Sequence, residues 1–219
     1  MLVAFDCDGV LLDTNSEKVN IFRDALSSLL EDEQHILRCC AVFKQLYGKT
    51  RPIIFSGIMD LFEQLEYANP QKLVNQLLSE YSQGVSSLYE SADLIDENVR
   101  FLKKAGETRR VSVVSSSDQQ QLRDSLPKII PDVGVTLILG GPCRKDEHLK
   151  NLALDFGTID LFVGDSISDA KVALDLEINF FAVTKYSLHP RKLINFCLKN
   201  SLPFAKTLED FPTNGIECL

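Results

Sequence analysis

The chain has 219 residues, 45% hydrophobic and 25% charged, a composition that argues against disorder and suits one large domain, or one domain with a modest insertion. Its net charge of −8 and isoelectric point near 4.9 argue against nucleic acid or an anionic membrane as the main partner, since both need a basic face. An anionic substrate would need a local positive charge, most simply a bound metal ion.

The first element is an apolar run, Leu2 to Phe5, that reads as a buried strand and ends in Asp6-Cys7-Asp8-Gly9. Ligands bind at the carboxyl ends of strands in open α/β sheets. Two carboxylates placed there can hold a hard cation or divide the work of nucleophile and acid, and the glycine lets the backbone turn away sharply. Taken alone, Asp-x-Asp-Gly is also an ordinary turn.

Residues from about 16 to 91 read as helix throughout. Val19, Phe22, Leu26, Leu29 and Leu30 recur at helical spacing, as do Ile54, Ile58, Leu61, Phe62 and Leu65. Leu73, Val74, Leu77, Leu78, Tyr81, Val85 and Leu88 make the longest stripe, which Asn69-Pro70 starts with a capping side chain and a proline in the first turn. These stripes read as core.

Beyond this block strand and helix alternate. Asp96 to Lys104 reads as helix, stopping at Ala105-Gly106. Val111 to Val114 reads as a strand running into Ser115-Ser116-Ser117-Asp118, with a helix following to about Leu126. Val135 to Leu139 is a strand and Asp146 to Phe156 a helix. Leu161 to Val163 is a strand ending in Gly164-Asp165, Ser168 to Leu176 a helix, and Phe180 to Val183 a strand. Such alternation predicts an α/β fold, a Rossmann-like parallel sheet flanked by helices. The helical block interrupts it, which divides the chain into a core, 1–15 and 92–219, and an inserted all-helical cap, 16–91.

No stretch has the length of a membrane span, and the N-terminal apolar run is too short and lacks the basic residues of a signal peptide. The six cysteines, Cys7, Cys39, Cys40, Cys143, Cys197 and Cys218, show no paired zinc-ligand spacing and read as reduced, mostly buried thiols of a cytoplasmic protein. A monomer or small homo-oligomer is expected.

Several strand ends carry residues suited to phosphate chemistry: Asp6 and Asp8, then Ser115 and Ser116, then Asp165 and Asp169 in Gly164-Asp-Ser-Ile-Ser-Asp169. Arg144-Lys145 lies between them, just ahead of a helix. Each has a bland alternative. The serines cap helices well, Ser117 above all; Lys145 is one more solvated lysine; Asp165 and Asp169 are a turn and a first-turn acid facing a helix dipole. Their joint occurrence in this order is harder to dismiss.

On these residues the chain resembles the haloacid dehalogenase superfamily, specifically phosphatases with a helical cap at the first insertion position, such as those acting on phosphoglycolate and the related β-phosphoglucomutases. Asp6 to Val10, followed by Leu11-Leu-Asp-Thr14, matches the first motif. Val111 to Ser115 matches the second, Lys145 the third and Gly164 to Asp169 the fourth. The family often has proline after the third-motif lysine, where this chain has Asp146. Arg144 therefore competes with Lys145 for that role, and Ser116 competes with the favoured Ser115.

The resemblance implies that Asp6 attacks phosphorus and Asp8 acts as acid and then base. It implies Mg²⁺ held by Asp6, the Asp8 backbone carbonyl and Asp165, with phosphate oxygens held by Lys145 and Ser115, and Asp169 anchoring Lys145 or a metal-bound water. The implied substrate is a small phosphorylated metabolite, a sugar phosphate or phosphoglycolate-like acid. Asp8 argues against dehalogenation, and Lys18, where related phosphomutases carry histidine, argues against a mutase. Phosphonate-cleaving relatives use a cap lysine, an option Lys18 and Lys49 leave open, although both read as generic exposed lysines. Gly48 to Pro52 resembles the cap specificity loop, which would put Lys49 and Arg51 on the leaving group; the alternative is a solvated turn. A non-catalytic protein that kept the fold is the reading of another class, and the intact set Asp6, Asp8, Lys145, Asp165 and Asp169 argues against it.

Overall fold

A computed structural model describes residues 2–131 and 134–211; Cys218 lies outside the described residues. The elements in chain order are β1 (Leu2–Phe5), α1 (Asn15–Leu29), α2 (Glu33–Gln45), α3 (Arg51–Gln64), α4 (Pro70–Glu90), α5 (Asp96–Gly106), β2 (Arg110–Asp118), α6 (Gln119–Ile129), β3 (Val135–Gly141), α7 (Lys145–Phe156), β4 (Ile159–Gly164), α8 (Ile167–Asp175), β5 (Phe180–Val183), α9 (Pro190–Lys199) and β6 (Phe204–Ala205). A single 3-10 turn, Leu208–Asp210, follows.

The strands form one six-stranded sheet in the order β3-β2-β1-β4-β5-β6, parallel at every pairing. Strand residues alternate between faces, and here both faces are covered, so the strands read as unbroken apolar runs. Val3, Phe5, Val111, Val113, Leu161 and Val163 pack toward α5 and α6. Leu2, Ala4, Val114, Phe162, Phe180 and Ala182 pack toward α7, α8 and α9. From β1 the chain runs outward to β2 and β3, then returns to start the other half at β4. The crevice at the carboxyl ends of β1 and β4 is thus the topological switch point, where open α/β sheets take their ligands.

Helices α1 to α4 follow β1 and pack on one another around an aromatic centre. The Phe22 ring stacks on Phe43 at 4.1 Å between centroids, and Tyr81 meets both edge-on. Burying an aromatic side chain of this size contributes on the order of 1.5–3 kcal/mol, so this cluster, which Phe55 of α3 joins, holds the four helices together. The described cysteines are free; all but the half-buried Cys143 are buried.

Several boundaries differ from the sequence reading. The second strand runs on through the serines to Asp118, because Asp118 pairs with Gly141 of β3 after an irregularity in register. Helix α6 is therefore capped by Asp118, whose carboxylate accepts from the Gln121 N–H, and not by Ser117. Asn69 precedes α4 but its side chain makes no capping bond. Helix α9 and strand β6 were not foreseen. α9 buries only Leu193 and Cys197, and β6 has two residues, too little pattern to read.

Candidate active site

Gly9 of the first motif has φ of +75°, and a Cβ there would collide with Asn15 and Asp165. This turn lets the chain leave β1 and brings α1 back across the carboxyl edge of the sheet. Asp6 and Asp165 end the neighbouring strands β1 and β4. Lys145 is the first residue of α7, and Asp169 lies in the first turn of α8.

The carboxylates of Asp6, Asp165 and Asp169 offer ligand atoms within 4.8 Å of one another, all buried. Lys145 Nζ is 2.6 Å from Asp6 Oδ2 and 2.6 Å from Asp169 Oδ1. Asp169 also closes a capping box: its N–H donates to Ser166 Oγ at 3.2 Å and its Oδ2 accepts from the Ser166 N–H at 3.2 Å. Asp169 thus lies in the first turn of α8 and also contacts Lys145. Asn15 Nδ2 donates to Asp165 Oδ2 at 2.7 Å and is itself fixed by Tyr47, whose hydroxyl donates to Asn15 Oδ1 at 2.7 Å.

Three acids face one ammonium. Burial pushes the Asp6 carboxyl up to about 7; the Lys145 charge opposes this, and Asp169 and Asp8 add to it. Burial likewise drives Asp165 well above the ordinary carboxylate range, and the neighbouring Asp6 and Asp169 charges add to the shift. Lys145 moves upward although burial alone would lower it, because Asp169 and Asp6 flank it. A buried excess of carboxylate over ammonium is the donor chemistry that suits a small hard cation. The residues therefore fit a divalent metal.

Asp8 faces away from this cluster. Its Oδ1 lies 2.6 Å from Lys18 Nζ and accepts from Thr14 Oγ1 at 2.6 Å. Its Oδ2 accepts from Ser117 Oγ at 2.7 Å, and the Tyr89 hydroxyl lies 3.1 Å and 3.2 Å from the two oxygens. Burial favours the neutral acid, but the Lys18 charge and the bonds from Lys18, Thr14 and Ser117 outweigh it and hold Asp8 below its usual range. Lys18 is 3% exposed, which corrects its reading as a generic surface lysine. The sequence reading gave Asn15, Tyr47 and Tyr89 no role, placed Thr14 only within the first motif, and read Ser117 as a helix cap.

A small cavity of about 50 Å³ lies over the site, lined by Asp6, Asp8, Ser115, Ser116, Lys145 and Asp165 together with Lys49 and Arg51. Ser115 Oγ accepts from the Ser117 N–H at 3.1 Å, which leaves its proton free for a ligand. Ser116 Oγ donates instead to the Gly48 carbonyl at 2.8 Å. Lys145 reaches the site, whereas Arg144 is 62% exposed and paired with Asp146 at 2.8 Å. Lys49 is exposed, as expected. Arg51 is engaged: its guanidinium donates to Ser82 Oγ at 3.1 Å and to Gln121 Oε1, and lies over the Tyr81 ring.

No protein-family model matches the chain, and no curated protein matches it significantly. Solved structures do. A hydrolase from Pseudomonas syringae superposes with a TM-score of 0.72 at 15% identity, covering 99% of this chain and 98% of that one. A haloacid dehalogenase-like family hydrolase from Streptococcus pneumoniae gives 0.63 at 16% identity, over 93% and 91%. A structure described as a predicted phosphatase from Clostridium acetobutylicum gives 0.68 at 14% identity, over 99% and 98%. The chain thus has the fold of the haloacid dehalogenase-like hydrolases along essentially its whole described length.

Proposed function

We propose that the protein is a metal-dependent phosphatase that hydrolyses a small phosphomonoester through an aspartyl-phosphate on Asp6. The observation that carries this reading is the convergence of Asp6, Asp165 and Asp169 around Lys145 at the switch point of the sheet. The likeness in fold to hydrolases and phosphatases supports it.

In this reading Asp6, the Asp8 backbone carbonyl and Asp165 would hold Mg²⁺, with Asp169 fixing Lys145 behind them. Such an ion supplies charge neutralisation that lets a carboxylate meet a phosphate. Asp6 is the nucleophile: its Oδ1 is fixed by the Cys7 N–H at 2.7 Å, and Oδ2 attacks once Lys145 turns to the incoming phosphate. Lys145 and Ser115 bind the non-bridging oxygens, with Ser116 beside them. Asp8 donates a proton to the leaving oxygen and later removes one from water. Lys18 and Tyr89 set its orientation.

Helices α1 to α4, residues 16–91, form a cap over a core of 1–15 and 92–219. The Ser116–Gly48 and Arg51–Gln121 bonds fasten the cap loop to the end of β2 and to α6. Lys49 and Arg51 then meet the leaving group, a sugar phosphate or phosphoglycolate-like acid. Free buried thiols support a reducing, cytoplasmic setting, and among the described residues no helix is long and apolar enough to cross a membrane.

The deciding experiment is hydrolysis of p-nitrophenyl phosphate with Mg²⁺ and with EDTA, in wild type and Asp6→Asn. Mg²⁺-dependent turnover that the variant lacks is expected. Turnover in a rigorously metal-free preparation, or turnover by Asp6→Asn within tenfold of wild type, would refute the scheme.

A further inference from the structure

Beside the small inner cavity runs a groove of about 620 Å³, lined by Lys44 of α2, Lys49, Lys171 of α8, His189 and Lys192 of α9. The two spaces share Tyr47, Lys49, Asp165 and Ser166 as walls, so they adjoin on the α8 side of the site. In a chain of net charge −8 this gathering of cations runs against the overall balance. Among the described residues lining the groove, the single carboxylate is Asp165, which belongs to the acidic cluster. None of the four lysines forms an ion pair among the described residues, whereas Lys18, Lys145, Lys150 and Lys185 all do.

The groove also runs along the first turn of α8, at Ser166 to Ser168, and the entry to α9 at Leu188 and His189. The N-terminal ends of helices carry positive partial charge. His189 Nε2 donates to the Lys44 carbonyl at 3.2 Å, which ties the cap wall to the core wall. The inner cavity, at about 50 Å³, is far below the roughly 300 Å³ or more of a site that encloses a whole organic ligand. A leaving group must therefore extend out of it. A second groove, of about 460 Å³, adjoins at Arg51 and Ser116, but its walls include Pro52, Phe55, Leu78 and Pro142, and Arg51 is already engaged by Ser82 and Gln121.

We propose that the lysine groove receives a second anionic group, carried by the leaving group, so that the substrate is a phosphomonoester with a carboxylate or another phosphate at its far end. This rests on the phosphatase reading and narrows its substrate class. The experiment uses butane-1,4-diol monophosphate, its bisphosphate and 4-phosphooxybutanoate, which differ only in the terminal group. For each protein the readout is the ratio of kcat/KM for an anionic to the neutral ester. Wild type should favour one or both anionic esters by roughly tenfold, the size expected for several exposed ion pairs acting together, and the preference should shrink as salt rises. Lys44→Gln/Lys171→Gln/Lys192→Gln should bring the ratio near one, and the bisphosphate and carboxylate arms separate the two anion types. A ratio near one in wild type, or one that the triple variant leaves intact, overturns the groove assignment. If neither these esters nor p-nitrophenyl phosphate is hydrolysed with Mg²⁺, the phosphatase reading fails. Calorimetric titration of the bisphosphate then decides the groove: weaker binding to the triple variant supports it, and equal binding overturns it.

Discussion

Lys18 Nζ sits 2.6 Å from Asp8 Oδ1, with both side chains almost entirely buried. Breaking a buried pair by removing one partner leaves an uncompensated charge and costs about 3–5 kcal/mol. Lys18→Met should therefore destabilise the protein by that order, read from urea unfolding near neutral pH. Asp8→Asn/Lys18→Met should cost clearly less than the sum of the two single changes. Strict additivity, within about 0.5 kcal/mol, would show that the two residues do not stabilise each other. The sign with pH follows from Asp8, whose folded carboxyl lies below its usual range. Its contribution is present above the unfolded value of about 3.9 and is lost as pH falls through the lower folded value. The gap between wild type and Lys18→Met should accordingly close in strong acid.

The same contacts bear on catalysis. The contacts from Lys18, Thr14 and Ser117 stabilise the Asp8 anion, which gives it the protonation state of a base but weakens it as one, so its proton-donating role is the one to test. Asp8→Asn should slow turnover by roughly 10²–10⁴, the usual range for general acid–base help. The loss should be smaller for aryl than for alkyl phosphates, since aryl leaving groups need little protonation. Equal losses on both ester types would take the acid role away from Asp8.

Much of this site was readable from residue order. Leu2 to Phe5 is apolar throughout because both faces of β1 are covered, and Asp6, Asp165 and Asp169 fall at the strand and helix ends that the alternation predicted. Lys18 was singled out as a possible cap lysine but read as exposed, although a signal for its burial existed. It lies four residues before Phe22 and eight before Leu26, on the face of α1 that is buried, so helical spacing alone placed it inward. The habit of lysines to be solvated overrode that geometry. Tyr89 and Ser117 were out of reach for a different reason. They approach Asp8 from 81 and 109 residues away, and no local pattern encodes such a meeting. Ser117 in particular depends on β2 continuing past Val114, where the serines resemble the start of a helix.

The acidic cluster predicts how metal and pH should act together. A carboxyl whose folded value is raised favours the fold while protonated, so stability falls as pH rises from about 3.9, the unfolded value, to about 7 for Asp6. Asp165 is raised in the same sense. A divalent ion binds the ionised carboxylates and should remove this penalty. Millimolar Mg²⁺ should raise Tm more at pH 8 than at pH 5, and Asp165→Ala should shrink the gain by removing one carboxylate donor. A Tm shift independent of pH, or one that Asp165→Ala retains in full, would take the ion away from this cluster.

Arg51 gives the sharpest test of the cap. Its guanidinium bonds Ser82 of α4 and Gln121 of α6 and lies over Tyr81, so it spans the helical block and the sheet side. Gln121 is itself held by the Ser82 carbonyl at 2.8 Å and Ser86 Oγ at 2.6 Å. If Arg51 serves only as this strap, Arg51→Ala should loosen the closed cap and lower kcat/KM by the same factor for every substrate. If it also meets the leaving group, the loss should be larger for the true substrate than for an aryl phosphate. The excess should then be roughly 10–150-fold, the equivalent of about 1.5–3 kcal/mol for a charge-assisted hydrogen bond. Gln121→Ala separates the roles, because it cuts the strap and leaves the guanidinium in place. A uniform loss in Arg51→Ala that Gln121→Ala reproduces would make Arg51 a strap alone. A substrate-dependent loss absent from Gln121→Ala would place it on the leaving group. Wild-type kinetics in both variants on every ester would return the loop to a solvated turn.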